Sequence, residues 1–120
     1  MISQEQLKKE LEKAKNYLLV VEGKKDKAAL LSLGFKHIFI LNETGKSLYE
    51  KIEQIEAISQ KNKVCILTDF DKKGKKLYLL LKSQLAQKVK LDNSLRYILL
   101  KSKISHIEGL ASFMKHNSNQ

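Results

Sequence analysis

Short apolar runs rich in β-branched and aromatic residues alternate with segments of helical periodicity through most of this chain. The runs cover residues 17–21, 37–41, 63–67 and 95–100. Helically spaced apolar residues predict helices at 3–15, 25–33, 46–58 and 72–89, the first with Ser3 as its N-cap. This alternation predicts an α/β fold with right-handed crossovers, in which a central, mainly parallel four-stranded sheet has helices on both faces.

The length of 120 residues allows one domain with a modest core. We expect a single domain over 1–120, with its core at about 17–108 and a polar tail at 115–120. No apolar run approaches the about 18 residues that a membrane span needs. The first residues are polar and charged rather than signal-like, so we expect a cytoplasmic protein without membrane partners. The single cysteine, Cys65, excludes an intramolecular disulfide and predicts a buried thiol.

The net charge of +10 lies almost entirely in the second half of the chain. Seven lysines and no acidic residue occur between residues 72 and 90. Such an excess is typical of a surface that binds a polyanion, most simply nucleic acid, RNA or DNA. A solvated lysine-rich face would give the same composition, so charge alone leaves both interpretations open.

Two carboxylates, Asp69 and Asp71, follow the apolar run at 63–67. A buried strand delivers its last residues to the edge of an open α/β sheet, where ligands bind. Residues spaced by two point to the same side if strand geometry continues. Because two such acids repel each other unless a cation offsets them, and because Mg²⁺ prefers oxygen ligands, the pair predicts a magnesium site.

A second acidic motif, Glu22-Gly23-Lys24-Lys25-Asp26, follows the first predicted strand. In a parallel sheet this loop and the aspartate pair lie at the same edge, so Glu22 is expected to stand near Asp69 and Asp71 as a third carboxylate. Gly23 allows a tight turn, and Asp26 is a candidate N-cap. Ordinary capping residues at a strand-to-helix turn would explain this motif equally well when it is taken alone.

The two motifs together resemble the Toprim family, a catalytic domain shared by topoisomerases, bacterial primases and certain nucleases. The resemblance covers about 17–108 and is closest to small stand-alone prokaryotic members, similar to the Toprim domains of the 5S-rRNA-maturing ribonuclease and bacterial primase. It implies a three-layer α/β/α, Rossmann-like fold. It also implies that Asp69 and Asp71 coordinate Mg²⁺, which Mn²⁺ can replace, and that Glu22 is a general acid/base or metal-shaping carboxylate.

The same resemblance extends to the C-terminal segment, where Glu108 is expected to join a second metal position. His106 is a further candidate nearby, but a lone histidine more often caps a helix or lies at the surface than acts in catalysis. Arg96 and the aromatic residues show no stacking platform of the kind found in RNA recognition motifs, and we expect them to be core or groove-lining residues. The aromatic residues weighed here are Tyr17, Phe35, Phe39, Tyr49, Phe70 and Tyr78.

Several residues near these loops are candidates for binding phosphate or the nucleic-acid backbone. The Gly45-Lys46-Ser47 sequence is not a Walker A motif, because Ile40 stands where its first glycine is required. Thr44, Gly45 and Lys46 are nevertheless candidates, with helix capping as the alternative. Helix N-terminal N–H groups and lysines favour phosphate. The remaining candidates are Gly23, Lys24, Lys72, Lys73, Gly74, Lys75 and Lys76.

These features favour Mg²⁺-dependent phosphodiester chemistry on nucleic acid, by a small nuclease or an RNA-processing factor. One alternative is a non-catalytic nucleic-acid-binding module, whose binding would persist in EDTA. Another is primase-like nucleotidyl transfer, which would need a protein partner for substrate recognition. The chain is expected to be too short for a topoisomerase, which needs a further domain with a nucleophilic tyrosine.

Overall fold

Three strands and five helices form the fold over the described part of the chain. The computed structural model describes residues 3–43, 45–102, 104 and 106–110. Within these ranges the order is α1 (Gln4–Ala14), β1 (Leu18–Val21), α2 (Lys24–Ser32), β2 (Ile38–Ile40), α3 (Leu48–Ser59), β3 (Val64–Ile66), α4 (Lys72–Leu85) and α5 (Ser94–Lys101). The α/β alternation that the sequence predicts is confirmed.

The sheet is parallel, with β1 at its centre in the order β2-β1-β3. Leu19 of β1 pairs with Ile38 on one side and with Cys65 on the other. All four β1 residues are buried because both faces of the sheet are covered. This arrangement brings the carboxyl ends of β1 and β3 side by side.

Alternate residues of β1 divide the core into two layers. Leu19 and Val21 pack in a cluster that includes residues of α1, α2 and α5. Leu18 and Val20 face the opposite cluster, which includes residues of α3 and α4. The predicted α/β/α layering is therefore confirmed, with the acidic loops emerging between the two helical layers.

The predicted fourth strand at 95–100 is wrong, because this segment is helix α5. Leu95 and Leu99, four residues apart, are buried on one face of that helix, whereas Tyr97 and Leu100 are exposed. The chain runs beside β3 only at a parallel bridge between Val64 and Leu91. The side chain of Asn93 then accepts the Ile66 N–H at 2.9 Å, where a fourth strand would have offered a carbonyl. The sheet accordingly has three strands within the described residues.

Helix boundaries differ from the predicted ones by a few residues, and capping explains two of the differences. The Ser3 hydroxyl accepts the Gln6 N–H at the start of α1, as predicted. Helix α3 starts at Leu48, not 46, because Ser47 is its N-cap. Helix α4 ends at Leu85, not 89. Asp26 is not an N-cap but the third helical residue of α2, where its carboxylate accepts the Gly23 N–H at 3.0 Å.

The described residues show two further properties. Cys65 is fully buried in β3, and burial raises the pKa of its thiol to about 12. No helix in the described ranges is both long enough and apolar enough to cross a membrane.

Candidate metal and nucleic-acid site

The glutamate after β1 and the first aspartate after β3 are in direct contact. The backbone N–H of Asp69 donates a hydrogen bond of 2.8 Å to Oε2 of Glu22, across 47 residues of sequence. Parallel pairing of β1 with β3 produces this contact, because both residues leave the sheet at the same edge. The predicted approach of Glu22 to Asp69 is therefore present, as a contact with the Asp69 backbone, whereas a cation shared by Glu22, Asp69 and Asp71 stays a prediction.

The two aspartates are each held by a backbone donor. Oδ1 of Asp69 accepts the Ile107 N–H at 3.0 Å, and Oδ1 of Asp71 accepts the Gly74 N–H at 2.7 Å as the N-cap of α4. A carboxylate has about four lone-pair sites, so both side chains retain acceptor capacity. These bonds fix the orientation of the carboxylates, as the surroundings of metal ligands commonly do.

His106 completes a group that can hold a cation. One ligand atom each from Asp69, Asp71 and His106 lie within 4.8 Å of one another. Nδ1 of His106 is 3.6 Å from Oδ2 of Asp69. Carboxylate oxygens suit Mg²⁺, and an added imidazole suits Mn²⁺ and other transition metals. The donor set therefore fits a divalent ion, and no lysine forms a salt bridge with either aspartate among the described residues.

Asp69 also belongs to a larger acidic cleft of about 750 Å³. Glu22 and Glu108 line this cleft with it, as does Asp26, which is buried. Burial raises the pKa of Asp26, and the carboxylates of Asp69, Glu22 and Glu108 raise it further against the Gly23 hydrogen bond. With Glu43, five acids thus share one cleft, whereas Asp71 and His106 are absent from its described lining. Asp69 is the residue common to both groups.

The close approach of α4 to the aspartate loop explains why residue 74 is a glycine. A Cβ at Gly74 would come within 2.0 Å of the Asp69 carbonyl oxygen. The Thr68 hydroxyl also donates to the Gly74 carbonyl at 2.7 Å. Because the Gly74 N–H is already donated to Asp71, the glycine has a structural role here. Phosphate binding by Gly74 stays a prediction.

Arg96 holds the same loop from the other side. Its guanidinium donates to the carbonyls of Thr68 at 2.7 Å and Asp69 at 3.2 Å, and its charge lies close to the rings of both Phe70 and Tyr78. From the sequence, Arg96 is expected in the strand at 95–100 as a core or groove-lining residue, with no role at the acidic site. The four-residue spacing of Leu95 and Leu99 was the available signal that it lies on a helix packed against β3.

The structure places the phosphate-binding candidates in three regions. Gly23 and Lys24 line the acidic cleft, together with Asn42 and Glu43 from the loop after β2. Lys46 instead lines a shallow depression beside Glu50 on α3. Thr44 lies outside the described residues, and its neighbour Gly45 is exposed with a φ of +87°. The lysines of the first two turns of α4 are all exposed: Lys72, Lys73, Lys75 and Lys76.

Comparisons with known proteins agree with this geometry. A solved structure of a protein from Aquifex aeolicus has 31% identity and a TM-score of 0.74, covering 91% of this chain and 99% of that one. A search of curated proteins gave no match. Residues 17–101 match the Toprim domain. Since this match spans more than half of the sequence and includes the acidic motifs after β1 and β3, the chain belongs to the Toprim family.

Proposed function

We propose that this protein hydrolyses phosphodiester bonds in nucleic acid with Mg²⁺, which Mn²⁺ can replace, as a small nuclease or RNA-processing factor. Family membership supports a metal-dependent function related to nucleic acid. The observation that carries the proposal is the 2.8 Å contact of Glu22 with Asp69, beside Asp71 and His106. Acids from two separate strand ends meet at one edge of the sheet, where a phosphate and a cation can both be reached.

Each acidic residue has a proposed role. Asp69 and Asp71 would hold the divalent ion, with His106 and Glu108 as further ligands. The bound ion would polarise a phosphoryl oxygen and stabilise the charge that develops there. Glu22 holds the loop through Oε2 and would carry a proton at Oε1, its remaining oxygen.

The basic residues would position the substrate. Lys72, Lys73, Lys75 and Lys76 are exposed on the helix that Asp71 caps. Lysines contact backbone phosphates without reading sequence, and such contacts fix the register of a nucleic acid. Lys24, which lines the acidic cleft with Asp69, would serve the same purpose there.

Cleavage assays with matched variants test this proposal. Structured RNA, single-stranded DNA and duplex DNA are incubated with Mg²⁺, Mn²⁺ or EDTA. Asp69→Asn, Asp71→Asn and Glu22→Gln preserve size and hydrogen-bond acceptors but remove charge. We expect each to reduce cleavage at least 100-fold, whereas Glu5→Gln, an exposed acid on α1, leaves it unchanged. Equal rates for wild type and Asp69→Asn would refute the hydrolytic function.

Metal binding is measured independently of turnover. A ligand that binds only the folded state raises its melting temperature. Mn²⁺ should therefore raise the melting temperature of wild type and of Glu5→Gln more than that of Asp69→Asn. Nucleic-acid binding that persists in EDTA without cleavage would favour the non-catalytic module instead. Tight Mg²⁺-dependent nucleotide binding would favour transfer chemistry with a protein partner.

A further inference from the structure

A second concave surface lies beside the aspartate loop, on the face formed by α4 and α5. It is a groove of about 200 Å³. Three of its lining residues are large apolar side chains with high exposed fractions: Leu79 at 62%, Tyr97 at 56% and Leu100 at 45%. Neighbouring exposed apolar side chains of this size commonly mark a binding surface. Leu79, Tyr97 and Leu100 have no role in the proposed hydrolysis.

The floor of the groove is preformed. Phe70, Tyr78 and Arg96 line it, and the guanidinium carbon of Arg96 lies 4.7 Å and 4.2 Å from the centroids of the Phe70 and Tyr78 rings. Arg96 is 5% exposed and donates to three backbone carbonyls of the β3 end and the loop that follows it. A floor fixed in this way loses little freedom when a flat ligand packs against it.

The groove is connected to the acidic site by a single residue. Phe70 lies between Asp69 and Asp71 in the sequence, and its ring is buried in the groove lining, whereas Asp69 lines the acidic cleft. The acidic site and the groove are therefore formed by consecutive residues of one loop.

The charge around the groove indicates which polymer fits. Lys75 lines the groove, and the exposed Lys72 and Lys76 flank it on α4, with Lys101 at the end of α5. Residues 72–90 include no acidic side chain. An apolar, aromatic floor beneath a cationic rim is the arrangement with which proteins bind single-stranded nucleic acid, stacking bases and contacting phosphates. The volume is below the about 300 Å³ lower limit of typical small-molecule pockets, which suits one base rather than a whole ligand.

We propose that this groove binds one unpaired base of the substrate, next to the phosphodiester that is cleaved. The substrate class is thereby nucleic acid with a single-stranded segment, because a continuous duplex keeps its base faces stacked inside. This inference rests on the proposed function for the position of the scissile bond. The binding of the base itself can be measured without turnover.

Fluorescence anisotropy with labelled oligonucleotides in EDTA tests the groove directly. The probes are a single-stranded oligonucleotide, its duplex, and the same strand with abasic sites. Tyr97→Ala should weaken single-strand binding by about 5- to 150-fold, which is the contribution of one stacked base to affinity. Affinity for the duplex and for the abasic strand should change by less than about twofold. Tyr97→Phe keeps the ring and should bind like wild type.

Tyr49→Ala is the matched control, because Tyr49 is also an exposed helical tyrosine, at 67%, but lies on α3 and is not part of the groove lining. Leu79→Ser is a second groove variant and should weaken single-strand binding in the same direction. Equal affinities of Tyr97→Ala and Tyr49→Ala for the single strand overturn the proposal. So does a concentration-dependent dimer that Tyr97→Ala dissociates and the oligonucleotide does not, because the groove then serves a second copy of the chain.

The two proposals fail separately. If wild type does not cleave any substrate but Tyr97→Ala still loses single-strand affinity, the hydrolytic function is wrong and the base-binding groove stands. If Asp69→Asn abolishes cleavage while Tyr97→Ala binds and cleaves single strands normally, the groove proposal is wrong and the hydrolytic function stands.

Discussion

The guanidinium of Arg96 donates a 2.7 Å hydrogen bond to the carbonyl of Thr68, the residue directly before the aspartate pair. Arg96 is the only arginine in the sequence, and it reaches this carbonyl from a helix 28 residues further along the chain. The contact couples α5 to the geometry of the acidic site. For the acidic site Arg96 is thus a positioning residue, since its hydrogen bonds hold the backbone of the loop that carries the aspartates.

Arg96→Lys tests this coupling. Lysine keeps the charge but loses the planar fork that serves several carbonyls at once. We expect the free energy of unfolding to fall by about 2 to 3 kcal/mol and Mn²⁺ affinity to fall about 10- to 100-fold. Urea denaturation and calorimetric titration measure the two effects. Lys101→Arg, an exposed basic exchange on the same helix, should change neither value, and an unaltered Mn²⁺ affinity in Arg96→Lys would remove the positioning role.

Gly74→Ala tests the close approach of α4 to the aspartate loop. The added Cβ would collide with the backbone of Asp69, which cannot give way as a flexible side chain could. We expect a loss of stability of about 3 kcal/mol or more, together with weaker metal binding. Gly109→Ala is the control, because nothing lies within 4 Å of a Cβ built there. Denaturant titration of both variants checks the contrast, and similar stabilities would show that the approach is not tight.

Asp26→Asn tests the electrostatic cost of the acidic cleft. Because the pKa of Asp26 is raised in the folded protein, ionisation of this group destabilises the fold. This loss of stability is absent below the ordinary pKa of an aspartate, about 3.9. It is fully present above the raised pKa of Asp26 in the folded protein. Asn retains an acceptor for the Gly23 N–H. The other charged residues that line the cleft are Glu22, Lys24, Lys25, Glu43, Asp69 and Glu108.

The expected result is a higher melting temperature for Asp26→Asn than for wild type at pH 7 in EDTA, and no difference near pH 3. Thermal unfolding followed by circular dichroism over this pH range measures it. Glu50→Gln provides the control, since Glu50 occupies the same third helical position on α3 but is exposed. It should give a small loss at pH 7 from the helix dipole rather than a gain. A lower melting temperature for Asp26→Asn at pH 7 would contradict the assigned cost.

Asp92→Asn tests a carboxylate whose pKa is lowered in the folded protein, in contrast to the raised pKa of Asp26. Burial alone would raise the pKa of Asp92, but hydrogen bonds from Ser94 and Tyr17 and the charge of Lys13 lower it to about 2. The folded protein therefore gains stability from this charge above the unfolded pKa and loses it as the pH falls from about 4 towards 2. From this shift we expect Asp92→Asn to reduce the free energy of unfolding by about 2 kcal/mol at pH 7.

Denaturant unfolding of Asp92→Asn and wild type at several pH values below 7 measures the effect. The difference between the two proteins should shrink steadily below pH 4. Tyr17→Phe removes one of the hydrogen bonds to Asp92 and should show a smaller loss over the same pH window. A difference that does not depend on pH would mean that packing, not charge, explains the loss.

The sequence was sufficient for the central part of the site. Buried apolar runs that precede Glu22 and Asp69 define strands by local composition, and a parallel sheet places the ends of both strands at the same edge. That β1 and β3 are neighbours is seen only in the structure. The placement of Asp71 beside Asp69 also follows from chain geometry. These inferences depend on periodicity over a few residues, which the folded environment did not override.

The fourth strand could not be predicted correctly in the same way. The segment at 95–100 has the apolar content of a strand, and its helical spacing shows only in Leu95 and Leu99. In the structure the Asn93 side chain takes the Ile66 N–H that a fourth strand would have paired, and the chain continues as helix α5. A hydrogen bond between residues 27 apart leaves no trace in local periodicity.

The sequence by itself determined which acids leave the same edge of the sheet, because the alternation of strands and helices is visible in short-range patterns and predicts a parallel sheet. Tertiary structure alone decided that His106 approaches Asp69, that Arg96 holds the loop, and that Asp26 shares the acidic cleft. These relationships arise from packing between segments far apart in the chain. Their energies depend on burial and distance, which residue order does not specify.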